Sequence, residues 1–433
     1  MGEHKDGSTM LYHIYKIERK MTDTRVIMIE STLLRFLTPH RLTEVIMFKK
    51  VTLSTLVVLN FIIYISLGLP DSILGSAWPS MRQSYSMGAS QVSYLTTIML
   101  LFSFFSSMLY TKIARRLTVA QVILMSMLSV IIGLLLMVVS SNPIVLFLCT
   151  PFMGIGQGAI DVTVNHFAAK HLPSSLMSLL HGFYGVGVSM SAAILTFFLS
   201  TFSSWRFAIG AIALLEILIL LLIFVYRSHF AERDDAAIAH EGKTDAPASQ
   251  KFQLSHLISP IFYFFYAIEA VMGIFLATYY VENFQVNSAQ AAFYTTLFWL
   301  GLMVGRFVTG ALTRFMADKT IIYSHLGLLL LMSVTLFLPP GFYTIATVFL
   351  IGLAMAPLYP LMMMLPNQMF SEPIAQKVIS YNVGFCMLGI LVFPLLFGAL
   401  FKIMSFSIFP VLILLLTIIL SGLALLIDQQ QKK

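Results

Sequence analysis

Apolar runs long enough to cross a bilayer, each about 20 residues, dominate this chain. They fall at roughly 51–74, 91–111, 119–139, 143–169, 177–201, 205–226, 256–280, 288–312, 319–338, 342–366, 378–402 and 406–427. In hydrocarbon every backbone N–H and C=O must be paired within the protein, which leaves only helices and closed barrels. Barrel strands alternate in polarity over ~10 residues; these runs are longer and do not alternate. The sequence therefore predicts an all-α integral membrane protein with twelve transmembrane helices. Only 10% of its 433 residues are charged, against about 25% in a soluble domain. The formal net charge of +7 then reflects basic loops and gives no reason to expect a nucleic-acid partner. Cys149 and Cys386 lie in separate apolar runs and read as small buried hydrophobes, with neither a disulfide framework nor a metal cluster implied.

The runs divide into two groups of six. The predicted organisation is a polar tail over 1–50, a first half over 51–226, a linker over 227–255, a second half over 256–427 and a short tail over 428–433. The first segment holds nine Lys/Arg and six Asp/Glu and no signal-peptide pattern. Met47-Phe-Lys-Lys50 resembles the start of a membrane protein, so residues 1–46 are expected to be an over-extended start or a dispensable tail. With the N-terminus inside, the inner loops and tail carry thirteen basic residues, from Lys112 and Arg115 to Lys432 and Lys433, and the outer loops and helix ends three (Arg82, Arg206, Lys402). That bias predicts both termini in the cytoplasm; the expected location is the plasma (inner) membrane, crossed many times.

The halves also repeat. A shift of 199 residues places Thr96-Thr97 on Thr295-Thr296, Arg115 on Arg314, Gly185 on Gly384 and the Asp161 region on Ala356–Pro360. Six runs superpose on six in the same direction, which is the pattern of parallel pseudo-repeat halves with a site between them at mid-membrane.

Candidate chemistry centres on Met153-Gly-Ile-Gly-Gln-Gly-Ala-Ile-Asp161-Val-Thr-Val-Asn165 in the fourth run. A carboxylate at that depth costs about 2.5–3.5 kcal/mol and marks a substrate or proton path. Asp161 and Asn165 are four apart and share a helix face; Gly154, Gly156 and Gly158 allow close approach of a helix or ligand. Three further acids lie inside runs: Asp71 after Pro70, Glu269 near its repeat position, and Glu216, which has no polar helix neighbours and reads as structural. Burial pushes a carboxyl towards protonation near neutral pH, so Asp161 and then Asp71 are the proton-coupling candidates. His181 is placed to tune Asp161. Solute hydroxyls and C–H faces call for polar and aromatic groups; Asn165, Gln157, Glu269, His181, Asn382, Tyr359 and Trp299 are the binding candidates.

Four stretches carry a family likeness. They are Gly68-Leu-Pro-Asp71-Ser-Ile-Leu74, Gly158-Ala-Ile-Asp161-Val-Thr-Val-Asn165, Leu180-His181-Gly-Phe183-Tyr184-Gly185-Val-Gly187 and Gly352-Leu-Ala-Met-Ala-Pro357-Leu-Tyr-Pro360. With six plus six runs and basic loops after runs 2 and 8, the chain resembles the major facilitator superfamily, and within it the fucose:proton symporter branch and its sugar-transporting relatives. The resemblance implies that Asp71 and Asp161 match acids used there for proton coupling and sugar binding, with Asp161 standing where that branch has Glu. It also implies gating roles for Gly305, Arg306 and Gly310 at the cytoplasmic end of run 8, for Arg314 just beyond it and for Arg115 after run 2, although the first-half loop lacks the motif's Asp and Gly.

The expectation is a secondary active transporter of a small polar solute, a sugar by resemblance, working by proton-coupled alternating access. An exporter of amphipathic compounds and a non-transporting membrane sensor of the same fold are the alternatives. The sequence holds no phosphate-cradling loop, zinc-helix motif or nucleophile constellation, so neither an enzyme nor a cofactor is expected. The expected partners are a small-molecule substrate, protons and the lipid bilayer, with the chain acting as a monomer.

Overall fold

The computed structural model describes residues 55–172, 174–233 and 253–431. The predicted tail, most of the predicted linker and Lys432–Lys433 lie outside them. The chain falls into two units, 1–58 and Leu59–Lys433. Of the first, only the helical residues 55–58 are described; everything below concerns the second.

Among its described residues twelve membrane-length helices follow in order: α1 (59–84), α2 (Val92–Ala114), α3 (Val119–Val139), α4 (Pro143–His171), α5 (Ser174–Phe202), α6 (Trp205–Val225), α7 (258–284), α8 (Ser288–Leu312), α9 (Asp318–Thr335), α10 (Phe342–Met369), α11 (Glu372–Met404) and α12 (Phe409–Gln431). Their starts are written locally. Thr118 caps α3 and is capped back by Gln121; Asn142 caps α4 ahead of Pro143; Asn287 caps α8. Each satisfies N–H groups that a helix start leaves open. Eleven of the twelve are long and apolar enough to cross a membrane. The exception is α9, which opens on Asp318-Lys319 and carries His325. Lys319 pairs with Asp428 on α12, so a charged helix start is held against a neighbour. Several helices outrun their predicted spans: α1 reaches Ser84 and α12 reaches Gln431. Hydropathy marks the hydrocarbon depth, whereas helix length is set by backbone bonding that continues beyond it.

Three helices are broken, two of them at a proline. α1 is interrupted at residues 69–72, after which α1b runs Ile73–Ser84. α7 divides into α7a (Ile258–Phe265) and α7b (Ile268–Phe284), and α10 into α10a (Phe342–Met355) and α10b (Leu358–Met369). Pro70 and Pro357 cannot donate to the preceding turn.

The repeat is visible in the packing. α2 packs on α4 as α8 packs on α10a, α3 on α4 as α9 on α10a, and α3 on α6 as α9 on α12. Between the halves, α5 packs on α8 and, by the same operation, α11 on α2, while α1b lies on α7b. Lipid is as apolar as leucine, so these contacts depend on close backbone approach. Gly154 and Gly158 of α4 show it: an added Cβ would stand 2.1 Å from the carbonyl oxygens of Met99 and Ser103 on α2. Phe104, Phe105, Leu214, Leu218 and Ile418 stay exposed on the outside, the lipid-facing surface of such a bundle.

Candidate functional site

The breaks in α1 and α7 put a carboxyl at the same place in each half. Asp71 lies in the α1 break, and Glu269 is the second residue of α7b. α4 brings Asp161 and Asn165, α5 brings His181 and Tyr184, and α8 brings Arg306.

In the first half, Asp71 is held by two neutral donors from other helices: the Gln157 amide on α4 donates to Oδ1 and the Tyr184 hydroxyl on α5 to Oδ2. Asp161 is bonded within its helix. The Asn165 amide donates to Asp161 Oδ1 at 2.8 Å and to its backbone oxygen at 2.9 Å, the shared face expected from their spacing. Asn165 Oδ1 in turn accepts from the Tyr64 hydroxyl at 2.7 Å. The Tyr64 ring stands edge-on to His181, centroids 5.6 Å apart. Asp161 is close enough to Asp71 to act on it electrostatically.

The second half is built differently. Glu269 Oε2 accepts from the Tyr266 hydroxyl at 2.7 Å and Oε1 from the Arg306 guanidinium at 3.2 Å. Tyr359 packs on Tyr263 and Tyr266 at centroid distances of 5.2 and 5.6 Å. Arg306 is within electrostatic reach of His181 and Tyr184, so the two clusters face each other between the halves. Together they hold three carboxyls against one guanidinium.

The structure thus gathers Asp71, Gln157, Asp161, Asn165, His181, Glu269, Arg306 and Tyr359. Other candidates stand apart. Asn382 is fully buried and accepts from Ser259 at 3.0 Å, an α11–α7a packing contact. Trp299 is 7% exposed, and its ring fills the place where Gly273 has no side chain. Arg306, expected at the loop end of α8, lies six residues inside it and pairs with Glu269 of the same half. Gly305 packs against Ala356 and Leu353 on α10, whereas an added Cβ at Gly310 meets nothing within 4 Å. Arg115 and Arg314 are exposed at the helix ends. The glycines before Asp161 serve the α2 and α3 contacts, not an opening towards the site.

Tyr64, Tyr184 and Tyr266 went unpredicted as site residues. Tyr266 is three residues before Glu269, a one-turn spacing that could have flagged it; among 17 tyrosines the others carry no such mark. One ion pair between the halves was also unforeseen: Arg82 at the end of α1b with Glu282 near the end of α7b.

A bundle of apolar helices in two like halves, with a carboxyl-rich cluster between them, is the build of a membrane transporter. The Major Facilitator Superfamily description matches residues 60–347 and 258–433, and the chain belongs to that superfamily. Among curated proteins it is 22% identical over 340 residues to Bypass of stop codon protein 6 of Saccharomyces cerevisiae (strain ATCC 204508 / S288c), covering 70% of this chain and 68% of that one. Among solved structures it is similar in fold to the nucleoside transporter NupG (TM-score 0.67, 12% identity, 88% of this chain and 99% of that). It is likewise similar to a D-xylose-proton symporter (0.65, 12%, 84% and 96%) and to the peptide transporter POT in complex with alafosfalin (0.65, 14%, 87% and 95%).

Proposed function

We propose that this transporter moves a small polar solute, sugar-like in its hydroxyls, together with protons, by alternating access between the halves. One observation carries the reading. Asp71 and Asp161 are bonded to the neutral donors Gln157, Tyr184 and Asn165, whereas Glu269 is matched to Arg306. Acids held without a cation can change charge by taking a proton, and an acid paired to arginine resists doing so. Asp161 and Asp71 are then the proton-coupling groups. Gln157, Asn165, His181, Glu269 and Tyr359 offer the hydrogen bonds and ring faces that a polyol needs, with Trp299 packed on Gly273 behind them and Asn382 supporting the α11 wall. Arg306, Gly305, Gly310, Arg314 and Arg115 belong to the gating elements. The fold likeness to a proton-coupled xylose carrier supports the reading.

The excess of basic residues in the inner loops supports both termini lying in the cytoplasm, and the membrane of this reading is the plasma (inner) membrane. The halves are 51–226 and 256–427, joined by a cytoplasmic linker over 227–255.

Proteoliposomes test the assignment. Asp161→Asn keeps shape and hydrogen bonding and fixes the neutral state. It should abolish pH-driven uphill accumulation and retain counterflow of labelled solute, while Asp161→Ala weakens both. If Asp161→Asn accumulates solute like wild type and Asp71→Asn does not, the coupling group is Asp71.

A further inference from the structure

The two seams between the halves are not alike. α5 packs closely on α8: an added Cβ at Gly182 would stand 2.7 Å from the Phe307 ring and one at Gly185 3.4 Å from Met303, and the Thr196 and Thr296 hydroxyls are bonded at 3.1 Å. The 199-residue shift carries Gly182 and Gly185 to Tyr381 and Gly384 on α11, and Phe307 and Met303 to Met108 and Phe104 on α2. There the packing is missing. An added Cβ at Gly384 meets nothing within 4 Å, and Tyr381, Phe104 and Met108 are 36%, 49% and 64% exposed. α11 meets α2 nearer its other end, where an added Cβ at Gly398 would stand 2.4 Å from Ser93 Oγ. Gly398 and Gly384 are separated by about 21 Å of helix. The α2–α11 seam is therefore joined near Gly398 and parted beside Gly384, leaving a cleft at the end of the bundle that bears the α2–α3 turn.

The walls of this cleft differ from its mouth. On α2, Phe104, Met108 and Lys112 follow at four-residue spacing and share one face. α11 runs the other way, and Lys377, Tyr381, Gly384 and Leu388 share one of its faces. Leu388 is exposed, and the Lys377 ammonium lies over the Tyr381 ring at 5.9 Å. Each wall is thus apolar or aromatic at depth and ends in an exposed lysine at the same end of the bundle. The acid at the start of α11, Glu372, lies off this face and accepts from Gln376 at 3.3 Å. The closed seam carries no such charges: the repeat positions of Lys112 and Lys377 are Ala311 and Ser178. Lipid tails are as apolar as leucine, so an apolar wall alone selects nothing in a bilayer. Two cations at the mouth do select, because they attract an anionic headgroup.

We propose that the cleft between α2 and α11 binds one anionic phospholipid, with Lys112 and Lys377 holding its headgroup and an acyl chain lying along Phe104, Met108, Gly384 and Leu388. A lipid that fits only the parted seam favours the arrangement in which that seam is parted. The leaflet, the cytoplasmic one, rests on the topology in the reading above; the site itself does not.

The test is quenching of a fluorescent probe on Gly384→Cys by lipids with brominated acyl chains. The full chain, with Cys149→Ala and Cys386→Ala, is placed in vesicles of phosphatidylcholine and phosphatidylglycerol, and one of the two lipids is brominated at a time. Brominated phosphatidylglycerol should half-quench the probe at an about 10-fold lower mole fraction than brominated phosphatidylcholine, the order that two lysines near an anionic lipid supply. A probe on Leu214→Cys, which is exposed on α6 at a similar distance from the same end, should show no such preference. Lys112→Gln with Lys377→Gln should remove the preference at Gly384. The proposal is overturned if both lipids quench the Gly384 probe alike, if the preference survives the loss of both lysines, or if the Leu214 probe shows it equally. Should Gly384→Cys not fold, a probe on Leu388→Cys decides by the same outcomes. Neither transport nor a proton is measured, so failure of the Asp161 test leaves this one standing, and the reverse.

Discussion

At the scale of single residues, the two halves treat their carboxyls in opposite ways. Glu269 and Arg306 are about one-fifth exposed, so each helps to keep the other's charge tolerable at membrane depth. Removing one partner leaves the other uncompensated, which costs more than the pair contributes. Arg306→Gln should lower the thermal stability of purified protein, and adding Glu269→Gln should recover part of the loss. Equal and additive losses in the double-mutant cycle would show that the pair does not couple. Asp161 with Asn165 was legible from spacing alone. The hold of Gln157 and Tyr184 on Asp71 was not, because it depends on α4 and α5 meeting the break in α1.

Elements are linked by both steric fit and charge. Where the predicted linker begins, Phe230 packs on Phe167 at 4.8 Å and the Val119 N–H donates to the Glu232 carbonyl at 2.8 Å. The Glu232 carboxylate accepts from His171 at 2.5 Å and from Lys170 at 3.2 Å. Burial works against its charge, but these two neighbours outweigh burial and hold the carboxyl below its usual range. A carboxyl depressed in the folded state stabilises above its unfolded value, about 4.3, and loses that contribution as pH falls through the folded value. Glu232→Gln should therefore be slightly less stable than wild type at neutral pH, and the gap should close below about pH 4. A gap that stayed constant across a pH series of melting curves would show that the side chain acts by packing.

For the molecule as a whole, the halves are tied at the end bearing the turn after α1. There Arg82 meets Glu282, and Gly75 lets α1b lie on the backbone of Gly273 and Ile274. Twelve residues into the 33-residue α11, an added Cβ at Gly384 meets nothing within 4 Å, although its repeat partner Gly185 packs on Met303 of α8. The ion pair thus favours the arrangement closed at the first end. Glu282→Arg should spread that end, lengthening the distance between spin labels at Gln83→Cys and Asn283→Cys, and adding Arg82→Glu should restore it. An unchanged distance in the single variant would leave the pair without a gating part.

What the sequence determined by itself was whatever the bilayer dictates locally. Apolar length specified helices, the 199-residue shift announced like halves, and a carboxyl at depth pointed to Asp161. What only the tertiary structure decided was which polar groups meet. The pairing of Arg306 with Glu269, the hold on Asp71 and the ion pair between the halves all join residues tens to hundreds of positions apart. Hydropathy is a property of a segment. A hydrogen bond between helices depends on how glycines and bulky side chains set rotation and depth, and no single segment contains that information.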